Sequence, residues 1–163
     1  MSTNTLFLHI KGFTGDKPPT DIKEWIPLEE TSMQVFSSAK IDGSSGKISN
    51  DGAPHFENIP MRKHLDERTP KLTTKVAEAT EVEEVVIKLM TKLGSDDKEL
   101  VRWTFTKCLF VAQAITASNN GGVPIEELNM AYDTVNYKVA VPVDPKTNKE
   151  GEMSWSNIEN TKL

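Results

Sequence analysis

Apolar and polar residues alternate with a period of two along most of this chain, which predicts strands with one covered face. Leu6, Leu8 and Ile10 alternate with Phe7, His9 and Lys11 as a first strand that sets His9 on its polar face. Gly12, Gly15, Pro18 and Pro19 then mark a loop. Trp25 to Glu29 and Ser32 to Phe36 read as a second strand or a broken pair. From Ser37 to Pro54 the chain turns to Ser, Gly, Asn, Asp and Lys around Gly43-Ser44-Ser45-Gly46-Lys47, a long exposed loop (about 37–54) with no face to bury. Loops of that length in compact domains are mostly binding loops or disordered segments, and the binding reading is preferred here.

Phe56 to His64 is the next strand, followed by the one strong helix signal, about 69–80. Thr69 stands where an N-cap belongs and Pro70 at the first helical position, where a missing N–H costs nothing. Leu72, Val76 and Ala79 then form an inward stripe at i, i+4 and i+7. In the C-terminal half, Val85, Ile87 and Leu89 alternate, Gly94-Ser95-Asp96-Asp97 reads as a hairpin turn, and Val101, Trp103 and Phe105 continue the pattern.

At Lys107 and Cys108 the phase slips, predicting a bulge. From Cys108 to Ile115 both faces are apolar or small apart from Gln113, so a helix or a neighbouring subunit must cover the second face. Leu128, Met130 and Tyr132 alternate up to Thr134, and Val135, Tyr137, Val139 and Val141 resume in the opposite phase, a second bulge candidate. Pro142, Pro145 and Gly151 bound a loop before a last strand with Met153 and Trp155. Many short strands with one short helix predict a mainly β fold, a small antiparallel β-barrel or sandwich.

With 37% apolar residues in 163, the chain fills one closed core, a single domain over 1–163. Nineteen basic against twenty-four acidic residues leave a net charge of −5, so no cationic field draws it to nucleic acid or to anionic lipid. The polar start, Met1 to Asn4, and the short apolar stretch Leu6 to Ile10 fall short of a secretory leader, and no apolar run reaches the ~20 residues that span a bilayer. The expectation is a protein made in the cytoplasm and, if exported, exported without a cleaved signal peptide and without membrane insertion.

Reactive chemistry is sparse. His9, His55 and His64 share no metal-binding spacing, and Cys108, the single cysteine, lies in an apolar strand where burial raises its pKa. Gly43 to Lys47 resembles a phosphate loop only superficially, because no helix starts there. The run Glu78, Glu81, Glu83, Glu84 reads as a solvated connection rather than a cation site. No catalytic residue, metal or cofactor is expected. Trp103 reads as core, whereas Trp25 and Trp155 are free to stack on a sugar, which keeps a monomeric saccharide-binding β-sandwich module as the alternative reading.

The segment Lys63-His64-Leu65-Asp66-Glu67-Arg68-Thr69-Pro70-Lys71-Leu72 resembles the K-x-I/L-D-x-x-S/T-P-x-L helix entry of the Hcp family, the tube-forming proteins of bacterial type VI secretion systems, which are related to contractile-phage tail-tube proteins. Lys63, Leu65, Asp66, Thr69, Pro70 and Leu72 match it. The element order, the long strand Leu100 to Ala117, the strand Glu127 to Val139 and the closing Trp155-Ser156-Asn157 are also similar, while Gly15-Asp16-Lys17 echoes the family's first loop loosely and the helix lacks the usual C-terminal Gly. The resemblance implies a homo-oligomer: a hexameric ring that stacks into a tube within a surrounding sheath, with a spike protein at the tube tip and small effector proteins carried in the lumen. It also points to the loop Gly43, Ser44, Ser45, Gly46 and Lys47 as the ring-stacking contact.

Overall fold

A computed structural model describes residues 4–13, 15, 17–50, 52–144 and 146–163. Met1, Asp16 and Pro145, named in the sequence reading, and Asp51 within the segment 37–54 lie outside the described residues. The strands are β1 (Asn4–Ile10), β2 (Ile26–Leu28), β3 (Glu30–Thr31), β4 (Val35–Phe36), β5 (Ala39–Asp42), β6 (Lys47–Asn50), β7 (His55–Phe56), β8 (Ile59–His64), β9 (Val82–Leu93), β10 (Asp96–Thr116), β11 (Ile125–Ala131), β12 (Thr134–Pro142), β13 (Asn148–Ser156) and β14 (Thr161–Lys162). The helix α1 is Thr69–Glu78.

Two bent segments make one barrel out of two sheets. β1 pairs with β2 and β9, β9 with β10, β10 with β11, β11 with β8, and β8 with β3. β2 and β3 are halves of one segment bent at Glu29, whose N–H is bonded to Arg62 O at 2.7 Å, so the circuit closes on itself. Closure removes most of the strand edges that an open sheet would expose. Beyond the circuit, β12 continues β11 along the same side of β10, and β13 and β14 extend the first sheet from there.

Both phase slips read from the sequence fall at the corner where β10 and the β11–β12 segment cross from one sheet to the other. Lys107 has φ 50, a left-handed residue that turns the strand, and opposite it the ladder breaks between Ala131 and Thr134. The pairing of β10 with β9 passes Lys107 unshifted, Thr106 to Glu84 and then Cys108 to Val82; the register shifts lie instead at Glu99/Val101 and Phe110/Ala112. The corner is tied by buried Asp133, whose Oδ1 accepts from Ser156 Oγ at 3.0 Å and Ile158 N–H at 2.9 Å. Asn157 N–H bonds Asp133 O at 2.8 Å, which gives the closing Trp155-Ser156-Asn157 a structural task.

Phe105 and Phe110, one on each side of the corner, are buried with Leu8, Ile26, Met61, Leu72 and Met130 in a single core. Each such side chain contributes roughly 1.5–3 kcal/mol relative to exposure. A second layer covers the face of β1 that alternation assigns to water. His9 is buried, not solvent-facing, because the Trp25 ring lies over it at 5.8 Å. Trp25 is 2% exposed, donates Nε1–H to Pro19 O at 2.9 Å and carries Lys88 Nζ 4.0 Å from its centroid. Burial holds the Lys88 pKa below its ordinary value, with a further push from Arg102 that Glu99 opposes.

The segment 37–54 is a ribbon and not a loop. β5 pairs with β6, Ile41 opposite Ile48, and β4 with β7 at the base, a hairpin arm whose strands β4, β5 and β6 are exposed along their whole length. Ile41 and Ile48 are each 73% exposed, consistent with a segment that buries no face within the chain.

The helix ends earlier than the periodicity indicates, at Glu78, with Ala79 as a left-handed cap (φ 50) exposed to solvent rather than facing inward. A Cβ at that φ is strained, and glycine is the residue that relieves it. Ala79→Gly is therefore expected to stabilise the fold by about 0.5–1 kcal/mol, read as a higher urea midpoint with an unchanged slope.

Candidate functional site

β8 alternates inward Ile59, Met61 and Lys63 with outward Pro60, Arg62 and His64, which drives a lysine into the interior. Lys63 is 1% exposed, and its three protons meet Glu126 Oε1 at 2.7 Å, Asp66 Oδ1 at 3.2 Å and His64 O at 3.2 Å. Glu126, fully buried on the inward phase of β11, also receives the Thr69 hydroxyl on Oε1 at 2.8 Å and the Gln113 amide on Oε2 at 2.6 Å. Gln113 Nε2 lies 3.4 Å from Thr69 O, and the Thr73 hydroxyl donates to Gln113 Oε1 at 2.6 Å. Every polar atom of the Lys63–Glu126 pair thus has a partner, the condition under which a buried ion pair is tolerated.

This network explains why Thr69 is not the N-cap. Arg68 occupies that position without a side-chain cap, because the Thr69 hydroxyl has turned to Glu126 while accepting from Asp66 N–H at 3.1 Å. Asp66 Oδ1 in turn accepts from Arg68 N–H at 2.8 Å. Pro70 opens the helix as expected, Leu72 is buried in the core, and Leu65 is 37% exposed with its N–H on Pro124 O at 3.2 Å. Of the motif residues, Lys63, Asp66 and Thr69 converge on one point, and Glu126 and Gln113 complete it. Sequence reasoning missed Glu126 and passed over Gln113. The available signals were a charge on the inward phase of β11 and one amide inside an apolar run.

A second feature lies beside this network. β9 leaves β10 after Cys108, so from Leu109 to Thr116 β10 has a strand on one side only, β11, among the described residues. Val111 and Ile115 on this edge are 44% and 50% exposed. The outer surface of the β10–β11–β8–β3 sheet is concave, a groove of about 410 Å³ whose lining includes Glu30, Arg62, Ala112, Ala114, Glu127 and Asn129.

The arm carries the third feature, Gly43 to Lys47 at its tip. Asp42 accepts from Ser44 N–H at 2.9 Å, Ser44 Oγ at 2.7 Å and Ser45 Oγ at 2.8 Å, so the tip is an ordered turn. Those bonds, the Ser44 hydroxyl first, hold the Asp42 pKa down to about 2. The turn keeps this stabilisation above the ordinary value of 3.8 and loses it as pH falls through about 2.

The remaining reactive residues are dispersed. His55 lies 3.6 Å from Glu57, His64 2.9 Å from Glu29, and Glu83 2.7 Å from Lys11, all as exposed or part-exposed pairs. Trp25 is buried and Trp155 stacks on Phe56 at 5.5 Å, so neither is the free ring that a sugar site needs. Cys108 is buried, and that burial pushes its thiol up to about 12. A disulfide-exchange reagent at pH 8 is expected to leave native Cys108 unreacted and to consume one equivalent per chain after unfolding in guanidinium.

The family model described as the type VI secretion system effector Hcp matches residues 7–139. The chain belongs to the Hcp family. Among solved structures, a type six secretion system protein matches with TM-score 0.85 at 16% identity, covering 99% of this chain and 100% of that one. Hcp1 from Salmonella typhimurium matches with TM-score 0.75 at 16% identity, over 98% and 99% of the two chains. The tube-terminating cap of the anti-feeding prophage matches with TM-score 0.55 at 13% identity, over 83% and 88%. At these identities the shared property is the Hcp fold. No curated protein matches by sequence. No helix among the described residues of this Hcp chain is long and apolar enough to cross a membrane.

Proposed function

We propose that this chain, acting as one domain, is the tube subunit of a type VI secretion system, in which six copies close into a ring and rings stack into a tube. The observation that carries the reading is the edge Leu109–Thr116, where a strand of the closed circuit has, among the described residues, a strand partner on one side only and carries exposed Val111 and Ile115. An unpaired edge with exposed apolar side chains is a template for a strand from another copy. Two different surfaces meeting head to tail close a ring when their rotation divides a full turn. Joining copies edge to edge turns one face of the sheet toward the channel. The concave outer face with Arg62, Glu127, Ala112 and Ala114 suits that side, where small effectors travel.

The arm suits ring-to-ring contact. It stands clear of the barrel with Ile41 and Ile48 side by side, and its ordered tip lowers the entropy lost on docking. The subunit is made in the cytoplasm and leaves when the sheath contracts behind the spike.

Light scattering after size exclusion and negative-stain imaging test this reading. Annular particles are expected, and a strictly monomeric protein at tens of micromolar would overturn it. Deleting Gly43 to Lys47 is expected to leave single rings and abolish tubes, whereas loss of the ring itself would move the ring interface to the arm.

A further inference from the structure

The edge that Leu109–Thr116 presents has little of its own to hold it straight. Past Cys108 its strand pairing is, among the described residues, with β11 alone, the register shifts between Phe110 and Ala112, and Val111, Ala112, Ala114 and Ile115 are all exposed. Edge strands of this kind open locally at low free energy. Gln113 is the exception, half-buried and bonded to two elements at once: Glu126 on β11 at 2.6 Å, and Thr69 O and the Thr73 hydroxyl on α1 at 3.4 and 2.6 Å.

We propose that Gln113 is a positioning residue for assembly, clamping the open edge of β10 to α1 so that it stands ready to pair with a second copy. The inference rests on the ring reading above. α1 immediately precedes β9 in the chain, so the segment that stops pairing with β10 gives way to the element that takes over its support. A leucine at position 113 would fill the same space, but it would leave Glu126 Oε2 without its donor and the helix without its link to the edge. The amide supplies a donor for Glu126 and an acceptor for Thr73 together, and leucine supplies neither.

Hydrogen exchange on dilute, unassembled protein tests the clamp, and negative-stain counting of annular particles tests its consequence. In Gln113→Leu the amides of Leu109–Thr116 are expected to exchange at least tenfold faster, with those around Val85 and Phe105 unchanged, and annuli are expected to disappear. Thr73 is exposed, so Thr73→Ala gives a milder form of both effects if Gln113→Leu fails to fold, and Thr73→Ser restores wild-type behaviour. Unchanged edge exchange would overturn the clamp, as would faster exchange with annuli intact. Absence of annuli in the wild type would overturn the ring reading, while the exchange comparison would still decide whether Gln113 holds the edge.

Discussion

Lys63→Met is expected to lower the unfolding free energy by about 3–5 kcal/mol, the usual cost of stranding one charge of a buried pair. Glu126 has no access to solvent, and its carboxylate would keep only the Thr69 hydroxyl and the Gln113 amide. Combining Lys63→Met with Glu126→Gln removes the orphaned charge and is expected to recover at least half of the loss, because the neutral amide carries no buried charge and its oxygen still accepts from Thr69. Urea unfolding of the two single variants and the double variant measures the coupling directly. Additive losses would mean that the two residues do not act as a pair. The expected size reflects the place of the pair, where β8, α1, β10 and β11 meet.

Placing lysine at both Val111 and Ile115 is expected to leave the monomer within about 0.5 kcal/mol of wild type and to weaken assembly more than a hundredfold. Both side chains are already about half exposed, so the isolated fold loses little. Charges on an edge strand obstruct pairing with another chain, and burying them unpaired costs at least about 3 kcal/mol in the assembled state. Sedimentation velocity should then show a monomer with an unchanged thermal midpoint. Rings that persist in this variant would place the interface elsewhere on the barrel.

The barrel was legible where neighbours in sequence decide the outcome. Period-two alternation located β1, β9, β10, β12 and β13, and Thr69-Pro70 located the helix. Even the corner was visible, because Cys108 and Phe110 bury on the opposite phase from Trp103 and Phe105. What escaped depends on residues far apart in the chain. His9 is buried because Trp25 folds over it and Lys88 closes the far side of that ring, none of which alternation within β1 can encode. The arm reads as a loop because its strands bury nothing; its register is set by the Asp42 turn rather than by an apolar face. Lys63 and Glu126 look like surface charges one strand at a time, and only their pairing across β8 and β11 shows both on the inward phase.

Barrel closure also fixes an order of events during synthesis. The β9–β10 hairpin turns at Gly94-Ser95 and pairs locally, but Leu6 of β1 waits for Leu89. At ~5–20 residues per second the ribosome needs on the order of 4–16 s to travel that far. Until then nascent β1 has, among the described residues, only the short β2 as a strand partner, and a two-stranded hairpin is marginal by itself. The danger of misassociation is therefore concentrated in the interval before translation reaches Val85.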